Sequence, residues 1–512
     1  MRRYLPRCQD RFATYAHAMA DATAELRMAR AQALTRREFF SRGGVFSLGA
    51  LALNRLSPAA LGAALQSGSR PALGPMAPKA PRLPARAKSV IYLHMSGAPP
   101  SLDLFDWKPK LKAMHLQDCP ESLLAGKKFA FIRGRPKMLG SPYRFARHGQ
   151  AGGWFSETIP HLASMADDIT VVRSMWTDQF NHAPAELMVH TGSMRAGNAS
   201  MGSWVTYGLG SLNQNLPGFV VLLSGGTDPT GGKSLWGSGF LPGVYQGTQC
   251  RTTGEPILFA ENPPGMNRDT RRHTLDAIRS LNEVEARTFR DPETRTRIEQ
   301  YELAYRMQVS VPDAFDIGRE PESIRTLYGA KPGEGSFANN CLLARRLVEK
   351  GVRYVQLYDW GWDIHGTSPG DDLMEQFPKK CREVDRACAA LITDLKQRGL
   401  LDETLVIWGG EFGRTPMNEA RGGSTFLGRD HHPACFSMWF AGGGVQRGGL
   451  VGSTDDFGYA IAEGKVTIRD LQTTVLHQLG IDAHAFTFPD QGLDQHLIGP
   501  TGEGRVVSEM LA

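Results

Sequence analysis

The chain has no Cys-x-x-Cys pair, which excludes a zinc ribbon and a thioredoxin-type redox motif. Its seven cysteines are scattered. Cys8 lies near the start; Cys119, Cys250, Cys341, Cys381, Cys388 and Cys435 lie in the body, where they could pair as disulfides or sit as buried thiols. No long low-complexity block and no internal repeat occur, so disordered and solenoid architectures are set aside. The chain also lacks an apolar run long enough to span a bilayer, which takes roughly 20 residues. Finally, the body lacks net charge. Residues 1–64 hold ten arginines and four acids, and the remainder holds 48 basic and 48 acidic residues. The overall charge of +6 therefore belongs to the N-terminal segment, and the body carries no electrostatic footprint for nucleic acid.

The basic segment has a pattern of its own. Thr35-Arg36-Arg37-Glu38-Phe39-Phe40 precedes a short, weakly apolar run from Val45 to Leu53. A paired arginine ahead of such a run resembles a twin-arginine export signal. Residues 1–64 are therefore expected to be a signal region, with a long n-region of 35 residues before the Arg pair. The Pro- and Ala-rich stretch 65–88 reads as a linker. The expected consequence is recognition by the twin-arginine translocase and export to the periplasm or cell surface, with no transmembrane helix in the mature protein.

From residue 89 onward, short apolar runs alternate with helical periodicity. Ser89–Met95 is apolar and ends at Ser96-Gly97, as a buried parallel strand would. Further strands are expected at 169–172, 219–223, 352–358, 405–408 and 436–440. Between Pro378 and Gln397, Val384, Ala387, Leu391 and Leu395 repeat at helical spacing, and Gly399 is a stop signal. A polar helical region near 260–325 reads as an insertion. The expected architecture is one α/β domain over 89–512, with a mostly parallel sheet flanked by helices. In such sheets ligands bind at the carboxyl ends of the strands.

Four polar segments sit at those ends. Strand 352–358 is followed by Asp359-Trp360-Gly361-Trp362-Asp363-Ile364-His365. Strand 405–408 is followed by Gly409-Gly410-Glu411-Phe412-Gly413-Arg414. Strand 169–172 is followed by Phe180-Asn181-His182, and Arg429-Asp430-His431-His432 precedes strand 436–440. Together they supply the mixed nitrogen and oxygen donors of Zn, Mn or Fe sites. Asp363, His365, Glu411 and His431 or His432 are the candidate ligands of one divalent ion. His182 could act as nucleophile, base or further ligand, with Asn181 beside it. Arg414 could grip an oxyanion, or it could hold Glu411 in place. The loop Ser224 to Ser234 imitates a phosphate-binding loop, but Thr227 stands where its first glycine is needed. Trp236, Trp360, Trp362 and Trp408 could form an aromatic wall, although Trp408 fits a core position.

These residues also carry a family resemblance. Cys381 through Leu395 followed by Gly399 to Trp408 resembles the helix–strand unit of sulfatases, phosphoglycerate mutases and alkaline phosphatases. Arg469 to Leu476 with Leu479-Gly480-Ile481-Asp482 resembles the closing helix of sulfatases. Asn181 to Gly192 resembles the nucleophile helix of alkaline phosphatases. More closely, residues 35–512 resemble the exported family called domain of unknown function 1501. The resemblance rests on Asn181-His182-Ala183-Pro184, Trp236 to Phe240, Trp362-Asp363-x-His365, Gly409 to Pro416 and Arg429 to Pro433. It implies an alkaline-phosphatase-like fold and an exported, metal-dependent hydrolase of small anionic, phosphate or sulfate, or sugar-linked esters. The alternative is a degenerate relative that binds a ligand or protein partner without turnover. Two features motivate that alternative: Glu411-Phe412 stands where the superfamily has Asp-His, and His182 or Asn181 where it has a hydroxyl nucleophile. Ser96 likewise departs from the superfamily, standing where it has Asp.

Overall fold

A computed structural model describes residues 74–512, apart from 128, 252, 258–261, 263–264 and 290–291. The expected export signal and the first part of the 65–88 stretch lie outside the described residues. The later part of that stretch is anchored on the body. Arg82 and Leu83 donate their backbone N–H groups to the Gly480 carbonyl, Arg86 and Ala87 to that of Gln478, and Lys88 to that of Glu403.

The core is a nine-stranded sheet. Its strands are β1 (Ser89–Ser96), β2 (Thr170–Trp176), β3 (Phe219–Ser224), β4 (Thr248–Cys250), β5 (Tyr354–Trp360), β6 (Thr404–Gly409), β7 (Phe436–Ala441), β8 (Leu450–Val451) and β9 (Val466–Thr467). The order across the sheet is β8-β2-β7-β6-β1-β5-β3-β4, with β9 also pairing β2. Every pairing is parallel except those of β7, which runs antiparallel to both β2 and β6. The expected mostly parallel sheet between helices is what the chain builds.

Strand alternation divides the core in two. On β1, Ile91, Leu93 and Met95 face one apolar layer, and Val90 and Tyr92 face the other. The first layer is closed by helices α5 (Phe337–Glu349) and α6 (Gln376–Gln397). The second is closed by α1 (His182–Thr191), α2 (Met201–Leu209) and α7 (Ile468–Gln478). Helix α6 buries Val384, Ala387, Leu391 and Leu395 on one side, each fully buried leucine contributing about 2 kcal/mol. Gly399 follows its end with φ 68, a conformation that L side chains rarely adopt. Within the region near 260–325 expected to be a helical insertion, the chain forms two helices, α3 (Arg268–Phe289) and α4 (Pro292–Phe315). The six body cysteines are all buried and unpaired, so none forms a disulfide. Among the described residues no helix is long and apolar enough to cross a membrane.

A candidate metal centre at the strand ends

The antiparallel course of β7 explains why one candidate segment precedes its strand while the others follow theirs. The start of β7 lies at the same sheet edge as the ends of β1, β2, β5 and β6. His182 opens α1 after β2, Asp363 and His365 follow β5, Glu411 and Arg414 follow β6, and His431 precedes β7.

Four of these residues converge. His182, Asp363, His365 and His431 each offer a ligand atom, all within 4.8 Å of one another. Asp363 Oδ1 is the hub: the Nε2 atoms of His365, His182 and His431 lie 2.9, 3.3 and 3.4 Å from it. The other ring nitrogen of each histidine is already engaged. His182 Nδ1 donates to Glu411 Oε1 at 2.5 Å, His431 Nδ1 donates to the Phe180 carbonyl at 2.7 Å, and His365 Nδ1 hydrogen-bonds Glu419. Holding Nδ1 fixes the ring and its tautomer and turns the Nε2 lone pair toward the shared point. That is how histidine ligands of metals are oriented, and three imidazoles with one carboxylate suit Zn, Mn or Fe. His182 Nε2 is buried and makes no hydrogen bond. The donor set therefore fits a divalent ion.

The electrostatics of the metal-free cluster follow from the same contacts. Burial works against a charged His182, but the nearby Asp363 carboxylate and the hydrogen bond to Glu411 outweigh that and push it up to about 9. Burial likewise opposes charge on His365, yet Asp363 and Glu419 raise it. His431 falls to about 4, through burial first and then the Arg414 charge. Burial favours a neutral Asp363, but Arg414 and the three histidines hold its carboxyl far below the usual carboxylate range. Glu411 is fully buried, and His182 and His94 hold it well below its ordinary value against that burial.

The remaining predicted residues fall outside the four-atom cluster. Glu411 stands one step behind, holding His182. Arg414 is buried and turned inward: it donates to Asp363, to the carbonyls of Gly97 and Ala98, and to that of Arg429. It thus holds Asp363 rather than Glu411, and most of its donors are occupied. Asn181 is the exposed N-cap residue of α1, and its side chain makes no capping bond. His432 points away, donating from Nε2 to the Tyr459 carbonyl at 2.7 Å while its ring stacks on Tyr459. Of the four tryptophans, Trp236, Trp362 and Trp408 are core, and only Trp360 stays at the rim, 6.2 Å from the His182 ring. The phosphate-loop imitation cradles a carboxylate of this same chain: Thr230 Oγ1 and Gly231 N each donate to Glu186 Oε2 at 2.7 Å.

Three residues escaped the sequence reading. Glu419 carries no positional signal, because a loop brings it to His365. His94 lies inside an apolar run and reads as core. Glu186 had a signal, standing four residues after His182 and so on the same helix face. Over the centre, Phe131 meets the His365 and His431 rings edge-on at 5.4 and 5.3 Å. Arg421 stacks on Phe131 at 4.2 Å and pairs with Glu419 at 2.6 Å.

A family model matches residues 87–511. The chain belongs to that family, Protein of unknown function (DUF1501). The DUF1501 match begins beside β1 and runs to the last residues, so it contains every residue of the centre. No curated protein matches the chain. Similar solved structures include the lipoteichoic acid synthase LtaP from Listeria monocytogenes, at 10% identity over 83% of this chain and 77% of that one, with a TM-score of 0.36. The PsFucS1 sulfatase from Pseudoalteromonas sp. is similar at 13% identity over 77% and 68%, with a TM-score of 0.35. The phosphonate monoester hydrolase SpPMH from Silicibacter pomeroyi is similar at 12% over 82% and 75%, with a TM-score of 0.33.

Proposed function

We propose that this DUF1501 member is an exported, metal-dependent hydrolase of phosphate or sulfate esters. The observation that carries this reading is the convergence of three Nε2 atoms on one carboxylate oxygen, with every Nδ1 held from behind. A divalent ion held by His182, Asp363, His365 and His431 would supply Lewis acidity toward an ester oxygen and a lowered pKa for bound water. The chain's own residues set the rest. Arg414 fixes Asp363, and Glu411 and Glu419 orient two of the rings. His182 is the first residue of α1, which brings the positive end of that helix to the cluster and favours an anionic substrate. Arg421 is an exposed cation beside His365, suited to a substrate oxyanion, and Phe131 and Trp360 flank the organic part. Export is supported by the paired Arg36-Arg37 and by a basic excess confined to residues 1–64.

The test is direct. The purified chain, loaded with Zn, Mn or Fe, is screened against phosphate and sulfate monoesters and diesters. The expected result is turnover that disappears in His365→Ala. A second reading, ligand binding without turnover, is favoured by the absence of a hydroxyl at the position of His182, whose ring is committed to Asp363 and Glu411. Binding of an ester by the metal-loaded chain with no hydrolysis across the screen would replace the first reading by the second.

A further inference from the structure

Behind the four-donor centre lies a second set of donors. His94 sits in β1, fully buried, and neither of its ring nitrogens has a hydrogen-bond partner. Its Nε2 lies 3.5 Å from Glu411 Oε2 and 3.9 Å from Glu186 Oε1, and the three ligand atoms all lie within 4.8 Å of one another. Both carboxylates are fully buried and anchored through their other oxygens. Glu411 Oε1 accepts from Gly97 N at 3.0 Å and from His182 Nδ1, and Glu186 Oε2 accepts from Thr230 and Gly231. The oxygens that face His94 accept nothing, and Ser96 Oγ, two residues further along β1, is also buried without a partner.

Buried carboxylate oxygens without donors are costly, and two of them facing one another require positive charge between them. A proton shared by the two, or one carried by His94 Nε2, would draw the facing atoms into a charge-assisted hydrogen bond of about 2.5–2.9 Å, and none of His94 Nε2, Glu186 Oε1 and Glu411 Oε2 makes a hydrogen bond. Donors at about 2.0–2.2 Å from a tetrahedral ion stand roughly 3.3–3.6 Å apart. The observed spacings of 3.5 and 3.9 Å are close to that. We infer that His94, Glu186 and Glu411 hold a second divalent cation, of the class that accepts one imidazole with two carboxylates. The two carboxylates balance its charge where solvent does not reach, whatever reaction the outer centre performs. Glu411 links the two sites, one oxygen orienting His182 and the other binding the inner ion.

The experiment uses the full chain, stripped with chelator, reloaded with Zn(II) or Mn(II) alone, and desalted. Elemental analysis should find two equivalents. Glu186→Gln should remove one and His365→Ala the other. Anomalous diffraction from the native protein at the metal edge should show a peak among His94 Nε2, Glu186 Oε1 and Glu411 Oε2. A single equivalent unchanged by Glu186→Gln, or no anomalous peak at that point, overturns the inference. If Glu186→Gln does not fold, the native map decides alone. An inner peak without an outer one sinks the hydrolase centre and leaves the inner site standing; an outer peak alone does the reverse.

Discussion

Glu411 accepts a 2.5 Å hydrogen bond from His182 Nδ1, and His182 in turn lies 3.3 Å from Asp363. This chain of charges is what pushes His182 up to about 9, from an ordinary value of 6.5. A histidine raised on folding stabilises the folded protein fully below 6.5, and that contribution disappears as pH rises through about 9. The chelated, metal-free protein should therefore lose on the order of 3 kcal/mol between pH 6.5 and 9.5 relative to His182→Gln. Denaturant unfolding at stepped pH measures this, and parallel stability profiles for the two proteins would refute it.

The neighbouring histidines His431 and His432 should separate cleanly. His431 Nε2 faces Asp363, whereas His432 Nε2 is tied to the Tyr459 carbonyl. His431→Ala should lose the outer metal equivalent with little change in the rest of the fold. His432→Ala should keep it and lose about 1–2 kcal/mol, through the orphaned carbonyl and the lost stack. Metal content and thermal unfolding of both variants decide. Equal metal loss in the two would contradict the assignment.

The site is most legible in the sequence where polar residues follow an apolar run. Asp363 and His365 were visible because β5 ends in front of them, and His431 because β7 begins just after it. The strand bounds differ by a few residues: the run at 352–358 folds as Tyr354–Trp360, because Val352 still bonds back to Leu347 in the turn after α5. The short strands β4, β8 and β9, of two or three residues, have no period to detect. That β7 runs antiparallel is a property of pairing and is not written in its residues. His94 was hidden for a physical reason: a histidine amid Tyr92, Leu93 and Met95 cannot be told from a core position until its neighbours across the sheet are known. Glu419 reaches His365 by a loop path that no local pattern encodes.

Arg429 supports the centre from beneath. It pairs with Asp103 at 2.7 Å, both side chains being fully buried, and it donates to the carbonyls of Leu139 and Thr415. Arg429→Met should cost about 3–5 kcal/mol, because it leaves Asp103 charged, buried and unpaired. The double variant Arg429→Met with Asp103→Leu should recover a substantial part, since the uncompensated charge is gone. If the double variant is as unstable as the single, the loss comes from packing and not from the stranded carboxylate.

Gly428 is where two ligand-bearing segments touch. A Cβ placed there would stand 1.9 Å from the His365 carbonyl carbon and 2.1 Å from Gly366 N, both of them backbone atoms that cannot swing aside. Gly428→Ala must therefore push the His365 turn away from the segment that carries His431. Ligand geometry at a metal tolerates only a few tenths of an ångström, so outer-site affinity should fall at least tenfold. Gly370→Ala is the matched control: its nearest neighbour is the Ser368 hydroxyl at 3.5 Å, and the turn around it is exposed. Zinc titration of the two variants should show weakened binding in the first and wild-type binding in the second. Unchanged affinity in Gly428→Ala would mean that the two segments move as one body, and that His365 and His431 do not depend on this contact for their placement.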